Sequence, residues 1–551
     1  LKVALDAAQG LEGELRFAAY AALDTTGTLE VFNKLRPRLT ATQEKFYCWA
    51  LAQQSPAFTM GWRGVKVDLK DRDAAREVAE KELRETAEAI RRDPSVMERW
   101  DGTELETGFC ARGEKTPSGN LQRHKWPRTK VGDPVIDHAD MRCLRCGAAR
   151  LRAVPYEPSS GAQTIHLLYG RLGLPKQYGK TDGVTVDDDA LESLSRQYPR
   201  YRELLDKLRH FRDLAKQVQF LGAKLSARGR FHSTFNPVAP WTARWSSSKN
   251  PFGEGGNLQN IAEKHRRVFT PDRGRKLGYA DLKTAESMLV AYIAGDEGYI
   301  EAHTRDVHTF VCRAIWPEGL EAAVSGKGKK VATELRPWTG DLKKDKEIAK
   351  GSLPAWDFEE GHDFRFQSKR TQHGSNYGLT PRGMAILNKI SVKAAETAQQ
   401  RFFAAFPGIP EYHGYIKDRV RQRRSLYNPL GRSINLMHRP WDASTWRQGL
   451  CYGPQSGVGD ILNIGLWRLW RRDPELVELL AQVHDAILFQ YRPEREAEVI
   501  DAISTEMRVE VPITDIRGDT RTCVIPVELA VGWNWSKASP TNPQGLEEVP
   551  C

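Results

Sequence analysis

Two aspartates stand where a carboxylate is costly. Asp485 lies inside QVHDAILFQY (482–491), an apolar run that predicts one β-strand, and an ionised group there needs a positive partner. Asp281 closes KLGYAD (276–281), a second predicted strand, and TAESMLVAYIAG after it predicts a helix. Carboxylates at the ends of neighbouring strands can hold a divalent metal. Mg²⁺ takes oxygen ligands and keeps positions open for water and phosphate oxygens. Two such ions can stabilise both the attacking and the leaving oxygen of an in-line phosphoryl displacement. The plainer reading of two isolated aspartates is solvation or helix capping.

A third stretch argues against the plainer reading. FRFQSKRTQHGSNYG (364–378) spaces Arg365, Lys369, His373 and Tyr377 four residues apart. On a helix these share one face. The guanidinium and the ammonium suit a triphosphate, and the two rings suit a base and sugar. A basic face that is only solvated has no need of that order.

With these motifs in this order, the chain resembles family A DNA polymerases, the bacterial DNA polymerase I group and its phage relatives. DLKTAE (281–286) resembles the family's motif A, 365–378 motif B and QVHDAILF (482–489) motif C. The flanks agree: GRFHSTFNPVAPWTARWSSS and NLQNI, then DVHTF, FFAAFPGIPEYHGYI, NPLGRSINL and RQGLCYGPQSGVGDI. Upstream, MGWRGVKVD and LLYGRLGLPKQYGKTDGVTVDDDALESL are similar to segments that lead into and build the thumb.

The resemblance implies an α+β right hand of palm, fingers and thumb, with an antiparallel palm sheet surrounded by helices. It implies template-directed addition of dNTPs to a primer 3′-OH. By carry-over, Asp281, Asp485 and the backbone carbonyl of Leu282 bind two Mg²⁺, with Mn²⁺ able to substitute. Arg365, Lys369 and His308 meet the triphosphate, and Lys369 also serves the reaction. His373, Tyr377 and Glu286 complete the nucleotide site, Glu286 by filling the space of a ribose 2′-OH. Arg244, Asn257, Gln259, Asn260, Gly378, Arg447, Gln455 and His484 match residues near the primer–template. The implied partners are primer–template DNA and dNTPs; helicase, primase and single-strand-binding partners stay open. The implied state is a monomer in the cytoplasm of a bacterial host, if the chain is phage-encoded.

The chain departs from the family in four places. Position 373, a Phe or Tyr in most relatives, is histidine. Motif C of the family reads His-Asp-Glu, whereas Ala486 follows Asp485. Residues 1–60 are too few for a 3′–5′ exonuclease domain, so no proofreading is expected from this chain. Two segments are additions: 99–155, and a basic stretch within 311–363 that reads as a solvated loop. The first contains Cys110, His124, His138, Cys143 and Cys146. Its Cys-x-x-Cys pair with a distant Cys and His could close a structural Zn²⁺ site; free thiols in a basic loop are the alternative.

The elements that must position these groups follow from periodicity. Residues 70–92 predict a charged helix, 187–222 helices broken near Pro199, and 364–376 and 391–425 further helices. The expected organisation is an N-terminal segment over 1–98, the inserted module over 99–155, thumb 156–232, palm 233–300, fingers 301–425 and palm again 426–551. The 551 residues carry a net charge of +11, which suits a polyanionic partner without choosing one. Eight scattered cysteines do not form a secreted disulfide framework, and no apolar run spans a membrane. The chain starts at Leu1, as a processed product or an excised segment would. Two other functions remain in play: a single-subunit RNA polymerase-like enzyme, and a non-catalytic DNA-binding replication accessory.

The histidine at 373 yields a test. His373→Tyr is expected to change discrimination against dideoxynucleotides in primer extension; equal incorporation by both proteins refutes a role for this ring.

Overall fold

The computed structural model describes residues 13–100, 103–105, 143, 151–153, 155–179, 183–324, 332–350, 363–388 and 390–551. They fall into two compact units, Asp68–Ala223 and, together, Leu1–Val67 with Lys224–Cys551.

The smaller unit is helical. Helix Leu69–Arg91 starts on Asp68, whose side chain accepts from the Asp71 N–H, and it buries only Ala79, Ala87 and Ile90. Its partner is Arg202–Leu221, where Leu204, Leu205, Leu208, Phe211 and Leu214 recur at helical spacing. Asp188–Gln197 adds Leu191 and Leu194 to the same core, beside Leu167 and Leu168. The apolar edge of 69–91 is buried against the 202–221 helix, and that draws the charged helix into this unit. Cys143 is buried here. Cys110, His124, His138 and Cys146, and with them the zinc expectation, lie outside the described residues.

The larger unit is built on an antiparallel sheet of β1 (Lys276–Leu282), β2 (Glu478–Val483), β3 (Ala486–Tyr491), β4 (Val527–Gly532) and β5 (Glu547–Val549). Their order is β2-β3-β1-β4-β5. β3 is buried at every position, which explains an unbroken apolar run instead of alternation. Its polar exception, Gln490, donates to Asp272 Oδ2 at 2.8 Å and Glu478 Oε2 at 2.7 Å. QVHDAILFQY is thus not one strand. It is the hairpin of β2 and β3, turning at His484 and Asp485, with His484 at φ +58°. No Gly or Asn marks that turn, so the sequence carries no turn signal.

The helices of this unit include α1 (Ala285–Ala294), α2 (Val307–Ile315), α3 (Leu342–Ala349), α4 (Phe364–Asn376) and α5 (Ala443–Arg472). α1 is apolar almost all round and is buried accordingly against α5. α2 packs on α4, and Tyr299 ties this region together by accepting from Gln372 Nε2 (2.7 Å) and Asn376 Nδ2 (3.0 Å). Within the basic segment expected as loop, residues 325–331 and 351–362 lie outside the described residues, and the described parts carry regular structure instead. They form the hairpin Leu320–Val324/Ala332–Arg336 and α3, because Ala349 finds a buried place beside Cys312 and Phe364. Among the described residues, no helix is long and apolar enough to cross a membrane.

Gly278 makes room for a ring at the centre of the sheet. It pairs with Phe489, and a Cβ there would lie 2.3 Å from that ring. Gly278→Ala is expected to destabilise the protein by about 1–3 kcal/mol. Thermal melting checks this; an unchanged Tm overturns it.

Candidate active site

The pairing of β1 with β3 sets Asp281 opposite Ala486, which puts Asp485 in the adjoining turn. The Leu282 N–H donates to the Asp485 carbonyl at 3.0 Å, so one backbone bond locks strand end to turn. A chain of amides supports the same turn. Gln259 Nε2 donates to the Trp245 carbonyl (2.9 Å) and to Gln482 Oε1 (2.7 Å), and Gln482 Nε2 donates to the His484 carbonyl (2.9 Å). On the other side of β1, β4 sets Glu528 opposite Asp281. Residues paired directly across strands share a face, so Glu528 and Asp281 do. Sequence reading missed Glu528, although an acid in the apolar strand CVIPVELAVGW is the same kind of signal as Asp485.

The acids repel one another. Burial, then the charges of Asp485 and Glu528, push Asp281 up to about 7, against the pull of Lys369 and Lys537. Burial also raises Asp485, with Glu286 adding to the effect. Glu528 pairs with Lys283 at 2.7 Å. Neither Asp281 nor Asp485 has a salt-bridge partner among the described residues. Nor do those residues include a ready group of three or more His, Cys, Asp or Glu set to hold a metal.

α4 forms the facing wall. Asp363 caps its N-terminus, accepting from the Phe366 N–H, and Gln367, Ser368, Thr371, Gln372 and Ser375 fill its buried side. Arg365, Lys369 and His373 border a cleft of about 930 Å³, shared with Asp281, Leu282, Glu286, His308, Asp485 and Glu528. Tyr377 lies just past the helix end, its ring 5.1 Å from that of His373 at an 81° angle. The Tyr377 hydroxyl donates to Glu286 Oε2 (2.7 Å), and Arg244 pairs with the other oxygen, Oε1. Arg365 is held by Asp306 through Nη2–Oδ1 at 2.8 Å and Nε–Oδ2 at 3.2 Å. Burial pushes His308 down to about 4, so its ring is neutral at pH 7, with Nδ1 on Gln372 Oε1 at 2.8 Å. Burial lowers His373 as well.

The other expected DNA-side residues scatter outside this cleft. Asn257 Oδ1 accepts from Ser247 Oγ (2.7 Å) and the Gln259 N–H (2.9 Å). Asn260, Arg447 and His484 are exposed, and Gln455 is half-buried. Gly378, at φ +69°, sits where a Cβ would lie 2.7 Å from Trp446. Gln259 is buried, and its amide donates to the Trp245 carbonyl and to Gln482 Oε1 beside the hairpin turn. Arg244 pairs with Glu286.

Comparison with known proteins meets this geometry. The profile described as DNA polymerase family A matches residues 140–327 and 357–537. The chain belongs to DNA polymerase family A. It is 27% identical over 401 residues to DNA polymerase I of Mycobacterium tuberculosis (strain ATCC 25618 / H37Rv), covering 68% of this chain and 38% of that protein. It is 24% identical over 430 residues to the thermostable DNA polymerase I of Thermus thermophilus, covering 73% and 44%. The chain thus spans about four-tenths of the length of the curated relatives it matches. Among solved structures, the POL domain of Pol1 from M. smegmatis, in complex with DNA primer-template and dNTP, matches with a TM-score of 0.61 at 21% identity. That match covers 88% of this chain and 70% of the other. The fold is the α+β palm, fingers and thumb of these polymerases.

Within the family pattern, position 486 faces Asp281 from β3, and Glu528 faces it from β4. The chain lacks an acid on the first side and carries one on the second.

The repulsion has a measurable sign. Asp281 binds its proton more tightly folded than unfolded, so the cation-free protein loses stability as pH rises from about 4 through about 7. Asp281→Asn does not titrate. Its Tm in chelator is expected to exceed wild type by about 2–5 °C at pH 8 and to converge with it near pH 5. A pH-independent difference overturns this.

Proposed function

We propose that this chain is a DNA-directed DNA polymerase, adding dNTPs to a primer 3′-OH by nucleotidyl transfer. One observation carries the proposal: two carboxylates without a salt-bridge partner among the described residues share a single cleft with Arg365, Lys369 and His373.

The donor set fits Mg²⁺, or Mn²⁺ in its place. Asp281, Asp485 and the Leu282 carbonyl offer only oxygen, and the mutual repulsion of the two acids is what a divalent ion relieves. When bound, two such ions supply the charge that stabilises the attacking and leaving oxygens of an in-line displacement. The chain's own groups do the rest. Lys369, exposed and without a salt bridge among the described residues, holds the phosphates and meets charge developing on the leaving pyrophosphate. Arg365 assists from the next turn. His308, neutral in the free protein, regains its proton as phosphate charge arrives. The rings of His373 and Tyr377 border the base and sugar. Glu286, fixed between Tyr377 and Arg244, fills the place of a ribose 2′-OH, which favours DNA over RNA synthesis.

Primer–template DNA and dNTPs are the partners named for the mycobacterial POL domain, and we assign the same to this chain. Arg244, Asn257, Gln259, Asn260, Gly378, Arg447, Gln455 and His484 would border the duplex, where minor-groove acceptors report pair shape more than sequence. A phage or viral replication role in a host cytoplasm is part of the same proposal. We propose that these 551 residues contain no 3′–5′ exonuclease site.

One experiment tests the reading. Wild-type protein should extend a labelled primer–template with dNTPs and Mg²⁺, use rNTPs at least about 100-fold less well, and leave a mismatched 3′ end uncut. Asp281→Asn should reduce extension by a factor of at least about 1,000. Extension that survives in Asp281→Asn refutes the mechanism, and a preference for rNTPs reverses the substrate assignment.

A further inference from the structure

Between α2 and α4, helix α3 reaches the cleft that Asp281, Arg365 and Lys369 line. Two anchors hold α3 in place. Asp345 is fully buried, and its Oδ1 accepts from the Thr339 N–H and Oγ1, both at 2.8 Å. Arg313 of α2 lies 3.6 Å from its other oxygen. Trp338 Nε1 donates to the Trp316 carbonyl at 2.6 Å, which closes the segment back onto the end of α2. With Asp345 turned inward, Leu342 and Lys346 turn toward the cleft and line it beside His308, Arg365 and Lys369.

Lys346 borders that cleft on the side of Arg365, with which it shares Asp306. Its Nζ lies 3.7 Å from Asp306 Oδ2, and the same carboxylate takes the bidentate contact from Arg365. Two cations therefore share one acid, leaving a net positive charge at the cleft wall. The Lys346 side chain is 44% exposed, so its ammonium can swing to an incoming anion. An ion pair this long and this exposed adds little to stability. A polyphosphate with several negative oxygens is a better partner for both cations than one carboxylate.

We propose that Lys346 is a further phosphate-binding residue, engaging the incoming nucleoside triphosphate together with Arg365 and Lys369. The proposal rests on the polymerase reading for its substrate, but not for its chemistry, which is polyphosphate recognition by an added helix.

The test uses the full chain with Lys346→Met and Lys346→Arg. Binding of inorganic tripolyphosphate is measured by calorimetry. Apparent dNTP affinity is measured in single-turnover extension, and duplex affinity by fluorescence anisotropy. Lys346→Met should weaken tripolyphosphate and dNTP binding roughly tenfold, the loss of one charge-assisted contact. Lys346→Arg should restore binding to within about threefold, and duplex affinity and Tm should not move. Unchanged tripolyphosphate binding in Lys346→Met overturns the proposal, as does an equal loss of duplex affinity. Lys369→Met separates the two readings. If the wild type extends no primer, or Lys369→Met extends normally, the polymerase reading falls, while tripolyphosphate binding still decides the role of Lys346.

Discussion

Repulsion between two half-buried carboxylates organises this protein. Asp281 and Asp485 stand at a strand end and a hairpin turn linked by a backbone hydrogen bond. A fold that needed only stability would separate or neutralise them. Here the sheet forces them together, Glu528 adds to the strain from the far side, and the nearby lysines compensate only in part. Under the proposed function, a bound cation would relieve this repulsion.

The surroundings divide into committed groups and a cationic wall. Glu286 is committed: two partners fix both its oxygens, so it acts as a wall. Gln259 and Gln482 are committed to the hairpin turn. Arg365 rests on Asp306, and Lys369 is exposed and without a salt bridge among the described residues. Under the proposed function, fixed acids facing an exposed cationic wall suit a site that would admit and release a charged substrate.

The legible parts of the site were those written locally. Arg365, Lys369 and His373 fall on one helix face because four-residue spacing is a helical signal, and the buried side of α4 confirms it. Asp281 at the end of β1 was legible because an acid closed an apolar run. The hairpin was not, because its turn uses His484 with positive φ where a Gly or Asn would have announced it. Glu528 depended on strand order, which brings residues distant in sequence side by side and leaves no periodic trace. α3 was read as loop because its apolar side is short and its anchor is a buried acid, Asp345, indistinguishable in sequence from a solvated one.

The hairpin of β2 and β3 also limits where this chain can change length. Adding or removing one residue between the two strands would displace β3 by about 3.3 Å and turn its side chains to the opposite face. Every residue of that strand is buried, so the sheet has no slack to absorb the slip. The stretch between α2 and α4 is the opposite case: it has accepted a hairpin and a helix while its flanks still meet the cleft. Insertions and deletions in relatives of this chain should therefore collect in the fingers and be purged from the palm hairpin. An engineered tag or loop graft has the same choice of address.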